Sequence, residues 1–319
     1  MYNSLSYKSK QFFWLIIKLS IVIGCGYFIY AKLVDNEQLK FTVFYKNLIE
    51  NDLFSIENIF FITVFTVFNW FLEILKWKYL VGFVKDISFI EASQQSLSSL
   101  TTSLVTPNRI GEYGAKAMYF NKKHRTQIVG LNLVGNFYQM FITLFLGCIG
   151  FSYFIFNHKI KVDFPLILKG LLIAVIVFSV LFFILKRINF KGFSFEKVRN
   201  FIKRIPLPLN IKVAILSMLR FIIFSHQFYF ILLIFKVDIL YFNAISAISS
   251  VYLIASTIPM LSLFDVILKG SVAIWVFSFF NMPSLIILST TTLMWILNFV
   301  LPAIIGCYFV LTFKPNFTK

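Results

Sequence analysis

Apolar runs long enough to cross a bilayer lie at 12–31, 59–75, 127–155, 165–185, 212–235 and 284–312. Runs of that length and character predict six spanning helices. Two further segments break the pattern. Residues 88–106 (SFIEASQQSLSSLTTSLVT) carry Glu91, Gln94, Gln95 and a row of Ser and Thr, and residues 241–258 carry Asn243, Ser246, Ser249, Ser250, Ser256 and Thr257. Helices this polar are poor partners for lipid and are expected to be lined by protein or water. The run at 12–31 follows Lys8 and Lys10 but is long for a signal sequence. It ends in Tyr-Phe-Ile-Tyr-Ala, without a small-x-small cleavage pattern, so it reads as a retained first helix.

Charge sidedness decides how the polar segments are threaded. Suppose each makes a hairpin that enters and leaves on one face, with the N-terminus in the cytoplasm. Twenty Lys and Arg then fall on the cytoplasmic side, eight of them within 186–212, against six outside. Full crossing of 88–106 exports either that eight-residue cluster or Lys76, Lys78 and Lys85, against the positive-inside rule. The expected architecture is therefore one all-α integral membrane domain over 1–319, with about six full spans and two re-entrant hairpins. Residues 59–155 form one repeat and 212–312 an inverted second, joined by the span at 165–185 and preceded by the extra helix at 12–31. Opposed hairpins of this kind are a recurring plan for alternating access.

Composition agrees with this class: 59% of residues are hydrophobic, 13% are charged, and Phe alone occurs 42 times among 319. The formal charge of +17 could suit nucleic acid. The basic residues sit mostly between apolar runs, however, and so fit the anionic face of a cytoplasmic membrane instead. Cys25, Cys148 and Cys307 lie in separate apolar runs, and the three histidines have no ligand spacing. Neither a metal nor a cofactor is expected.

Chemistry concentrates where the polar segments end. The first ends in Thr106-Pro107-Asn108-Arg109-Ile110-Gly111-Glu112, with Lys116 following; the second in Thr257-Ile258-Pro259, then Asp265 and Lys269. Each copy holds a proline, a carboxylate, and a lysine four residues later, and 153 positions separate both Glu112 from Asp265 and Lys116 from Lys269. Proline suits a first helical turn, where unpaired N–H groups and the positive end of the helix dipole attract an anion. With Arg109, such a tip forms a cradle for a phosphate or another anionic head group. Each carboxylate–lysine pair, in the favourable i,i+4 order, equally suits a static salt bridge. The candidate substrate-binding residues are thus Pro107, Arg109, Gly111, Glu112, Lys116, Pro259, Asp265 and Lys269.

Secondary candidates flank them. Glu73, with Lys76 and Lys78, closes the run at 59–75 and reads as a border residue or a ligand. Arg220 and His226 fall within 212–235, where a charge is expensive, although Arg220 is within snorkelling reach of the cytoplasmic end. Asn132, Asn136 and Gln139 recur on one helical face, as Asn298 and Pro302 mark the last run. Helix–helix hydrogen bonding explains these amides as well as substrate contact does.

The stretch Thr106–Tyr113 resembles the T-P-G-R-I-G-E motif of the transmembrane region of lysylphosphatidylglycerol synthases, which also occurs as stand-alone flippase-like proteins. Glu73-x-x-Lys76-Trp77-Lys78-Tyr79-Leu80 is similar to that family's basic-aromatic segment after an early span. The resemblance implies a fold that moves aminoacylated phospholipids or other lipid-linked head groups, without the soluble synthase domain. Pro107, Arg109, Gly111 and Glu112 fall on the motif, while Asn108 stands where glycine is usual and Asp265 replaces a glycine-rich run ending in Glu. Expected partners are membrane lipids, anionic or glycan-linked, and a second copy of the chain or envelope-biosynthesis enzymes, with no nucleic acid. Rival readings are a membrane-embedded transferase using Glu112 or Asp265 as base, and a scaffold for envelope-glycan enzymes that docks through 186–212.

Overall fold

The structure is a computed structural model that describes residues 7–34, 40–104, 106, 109–158, 195–257 and 265–314. Every regular element among these is helical. In chain order they are α1 (Tyr7–Val34), α2 (Phe41–Glu50), α3 (Ile56–Gly82), α4 (Phe89–Leu104), α5 (Ile110–Met118), α6 (Lys122–His158), α7 (Phe195–Ile202), α8 (Leu207–Ile234), α9 (Tyr241–Thr257), α10 (Asp265–Ser278), α11 (Ser284–Trp295) and α12 (Leu301–Thr312). A π-helical turn, Ile296–Val300, joins the last two into one rod. Five helices are long and apolar enough to cross a membrane: α1, α3, α6, α8 and the α11–α12 rod. They cover five of the six expected spans; the run at 165–185 lies outside the described residues.

Local chemistry sets the helix starts. Ser55 caps α3, its hydroxyl accepting the Asn58 N–H at 3.3 Å. Ser88 and Glu91 close a reciprocal capping box on α4, at 2.7 and 3.2 Å, satisfying two donors that the first turn otherwise leaves open. The rod bends into its π turn for an identifiable reason. Pro302 has no N–H to offer the Asn298 carbonyl four residues earlier, and that carbonyl instead accepts the Trp70 indole N–H at 3.1 Å. An extra residue per turn at this point is how a helix absorbs such a defect.

α4 and α5 form a helical hairpin. Ser98 meets Tyr119 at 2.9 Å, and farther along Thr106 accepts the Gly111 N–H at 2.9 Å, so the contacts run antiparallel. At nine residues α5 is about 14 Å long, roughly half a bilayer's hydrocarbon thickness. The polar helices α4 and α9 are inside the bundle. α4 packs on α12 and α9 on α6, while α3 packs on α8. Both polar contacts are made close by glycine. A Cβ at Gly306 would run into the Leu97 carbonyl and the Thr101 hydroxyl, and one at Gly150 would meet Ser249 Cβ at 2.5 Å. Small residues at these crossings are what membrane helices use in place of a hydrophobic drive.

Large side chains point outward instead. Phe137, Phe141 and Phe145 stack along one exposed face of α6 at 6.3 and 6.4 Å, a surface suited to hydrocarbon rather than water. Of the apolar clusters in the interior, the two largest are one including Phe228, Ile248, Phe277 and Ile287 and one including Trp77, Leu80, Ile128 and Leu131. Along α3 and α8 the members of these cores are separated by Asn69 and Glu73, and by Ser217 and Arg220. That polar break is where function is to be sought.

Candidate functional site

Glu73 is the centre of the break. Lys76 Nζ and Arg220 Nη1 both reach its Oε2 at 2.7 Å, so one carboxylate oxygen serves two cations from two spans. The expectation for these residues changes accordingly. Glu73 and Lys76 do not border a span that ends at 75, because α3 continues to Gly82 and buries both. Arg220 does not snorkel to an end; it turns inward at mid-helix, and its Nε also donates to Asn69 Oδ1 at 3.0 Å. Pairing within the bundle removes most of the cost that would otherwise terminate α3 at its first charge.

From Asn69 the hydrogen bonds continue away from the charges. Asn69 Nδ2 donates to Asn298 Oδ1 at 2.6 Å, Asn298 Nδ2 to Gln227 Oε1 at 2.9 Å, and Gln227 Nε2 to Thr66 Oγ1 at 2.8 Å. Each amide uses both ends, so α3, α8 and the π turn are fixed in one register.

The first hairpin brings the second charged pair to the same place. Lys116 Nζ donates to Glu112 Oε1 at 2.9 Å and to Asn132 Oδ1 at 2.7 Å, and stands 4.3 Å from the centroid of the Trp77 ring. Trp77 in turn donates to Gln95 at 2.9 Å. Lys116 is therefore clamped between three helices and holds Glu112 in position. The hairpin tip is equally constrained. Arg109 has the left-handed backbone, at φ 55°, and a Cβ at Gly111 would fall 2.5 Å from the Thr102 carbonyl oxygen. Only glycine lets the turn close that tightly.

These groups surround a cavity of about 220 Å³. Four cations line it: Arg109, Lys116, Arg220 and Lys269, with Lys76 behind Glu73 as a fifth. The lining carboxylates are Glu73 and Glu112. Ser96, Ser99 and Ser103 of α4 form a hydroxyl wall, and Asn69, Asn136, Gln139 and Asn298 contribute amides. Trp70, Phe221, Phe224, Tyr252 and Phe299 supply apolar surface. Phe299, in the π turn, lies near two of these cations: its ring centroid is 4.9 Å from the Arg109 guanidinium and 5.5 Å from Lys269 Nζ, distances at which a cation is attracted to an aromatic face.

Of the expected residues, Arg109, Glu112, Lys116, Lys269, Glu73, Asn136, Gln139 and Arg220 converge on this cavity. Gly111 shapes its tip. His226 lies apart from it, bonded to the Ile222 carbonyl and the Tyr241 hydroxyl at 2.8 Å each. Pro107, Pro259 and the Asp265 side chain are outside the described residues. Asn69, Trp70, the three serines, Tyr252 and Phe299 were not singled out by sequence. Asn69 carried a usable signal, an amide one helical turn before Glu73; Phe299 carried none among 42 phenylalanines. No family model matches the chain, and neither a curated protein nor a solved structure matches it.

Proposed function

We propose that this protein translocates a lipid across a membrane, holding an anionic or glycan-bearing head group in the chamber while the acyl chains stay in the bilayer. The observation that carries this reading is the charge balance of the chamber. Five cations, from α3, the first hairpin, α8 and α10, meet two carboxylates among the described lining residues. Adding Asp265, which the sequence places four residues before Lys269, leaves five against three. A cation at mid-span costs about 2.5–3.5 kcal/mol on insertion scales, and an anionic ligand recovers part of that cost.

The helix arrangement supports movement as well as binding. α4 of the first unit packs on the last helix of the second, and α9 of the second packs on the last long helix of the first, with glycine at both crossings. This reciprocity is what inverted repeats about an in-plane axis require, and Arg109 and Lys269, one from each unit, both approach the Phe299 ring. The resemblance of the Thr106–Glu112 stretch to flippase-like proteins implies the same activity. The proposed setting is the cytoplasmic membrane, with the N-terminus inside.

The test is leaflet-to-leaflet movement of a fluorescent phosphatidylglycerol in vesicles holding the purified protein. The expected result is protein-dependent movement that falls at least tenfold in Glu112→Gln and in Lys269→Gln. Movement unchanged in both variants, with the protein folded, overturns the site. Formation of a modified lipid without movement overturns transport in favour of transfer chemistry.

A further inference from the structure

We infer that the head group this chamber takes is a phosphodiester bearing a neutral polyol or sugar, and not a cationic aminoacyl or choline-type group. The inference rests on the reading of the chamber as a lipid head-group site, and it follows from the two kinds of polar surface that line it.

One wall is cationic, formed by Arg109, Arg220 and Lys269, and matches a phosphate. The same cations repel an amine-bearing head group at close range. The other wall is a stripe of hydroxyls on α4. Ser96, Ser99 and Ser103 are spaced three and four residues apart, so they share one helical face. Ser99 and Ser103 donate their protons to the backbone carbonyls of Ser96 and Leu100, at 2.8 and 2.7 Å. That leaves their oxygens as acceptors on residues that line the chamber. Ser96 is 4% exposed, lines the same chamber, and its hydroxyl has no hydrogen-bond partner. A buried hydroxyl left unpaired is costly, so its partner is expected to be the ligand.

Ser96 can give or take a hydrogen bond with a ligand hydroxyl, and Ser99 and Ser103, their protons already committed, call for donors on the ligand. A phosphodiester has none at neutral pH, and a quaternary ammonium has none at all. Alcohol hydroxyls beside the phosphate supply them. The apolar surface of Phe221, Phe224 and Tyr252 gives the carbon skeleton of such a group a place to lie.

The experiment is a competition among dioctanoyl lipids for the purified protein, read by native mass spectrometry. Phosphatidylglycerol and phosphatidylinositol are expected to bind about tenfold tighter than phosphatidylmethanol, which has the same charge but no hydroxyl; one to two good hydrogen bonds give that factor. Phosphatidylcholine and lysyl-phosphatidylglycerol bind more weakly still. Ser96→Ala abolishes the tenfold preference while phosphatidylmethanol affinity stays unchanged, which a merely misfolded chamber would not do. Equal binding of phosphatidylmethanol and phosphatidylglycerol overturns the inference, as does tightest binding of lysyl-phosphatidylglycerol. Competition by free glycerol 3-phosphate at equal concentration overturns the lipid as its source. If the order holds but no lipid moves between leaflets, transport fails and the head-group assignment stands.

Discussion

Two carboxylates face one cavity, and they are held in opposite ways. Glu73 is shared: two cations from different spans end on one of its oxygens. Among the described residues Glu112 is bonded to Lys116, which Asn132 and Trp77 also hold. Removing Glu73 takes the anion from two cations, the buried Lys76 and the half-buried Arg220, and leaves them only the amides of Gln139 and Asn69; removing Glu112 takes it from one, and Lys116 keeps an amide and an aromatic face. The first carboxylate is a joint between α3 and α8, and the second holds one lysine of its own helix beside the chamber. Proximity to a cavity therefore does not by itself assign a role; the number of partners each group must satisfy does.

The largest expected effect breaks the joint. Glu73→Leu leaves Lys76 and Arg220 without their anion, and breaking a buried pair in this way costs about 3–5 kcal/mol. A thermal-unfolding assay in detergent should show it as loss of most folded protein, with Glu73→Asp intermediate. Next is Gly306→Leu, whose side chain collides with the Leu97 carbonyl and pushes α12 from α4. Overpacking costs about 1–3 kcal/mol by the same assay. Trp70→Phe comes third. It leaves the Asn298 carbonyl without its donor, a loss of about 1 kcal/mol. Glu112→Gln has the smallest expected effect on stability, under about 1 kcal/mol, yet it should cut lipid movement at least tenfold. A Glu112→Gln protein as unstable as Glu73→Leu would erase the distinction between the two carboxylates.

The same contrast measures what was legible in the sequence. The apolar runs gave five spans and the Ser- and Thr-rich stretches gave the inward helices, because solvation by lipid acts on each residue locally. Glu112 and Lys116 were legible because partners four residues apart share a helix face. Glu73 and Arg220 are 147 positions apart, and no local pattern pairs them. Taken alone, Glu73 looks like the end of a span, so α3 was read seven residues short. α2 was missed for a related reason: it is only ten residues long, and Asn47 anchors it through a hydrogen bond to Ser289 at 2.9 Å, a contact made only in the folded bundle. The π turn was half legible, since Pro302 marked a defect without saying which carbonyl it freed or that Trp70 would meet it.

The central claim, that the chamber takes an anionic head group and can be reached from both faces, is tested most directly by access. In a background with Cys25, Cys148 and Cys307 replaced by alanine, Ser99→Cys places one thiol on the chamber wall. A membrane-impermeant thiol reagent is expected to label it from either face of sealed vesicles, and dioctanoyl phosphatidylglycerol, but not the choline lipid, is expected to slow that labelling at least tenfold. Labelling from one face only, or at a rate that neither lipid changes, would contradict the account.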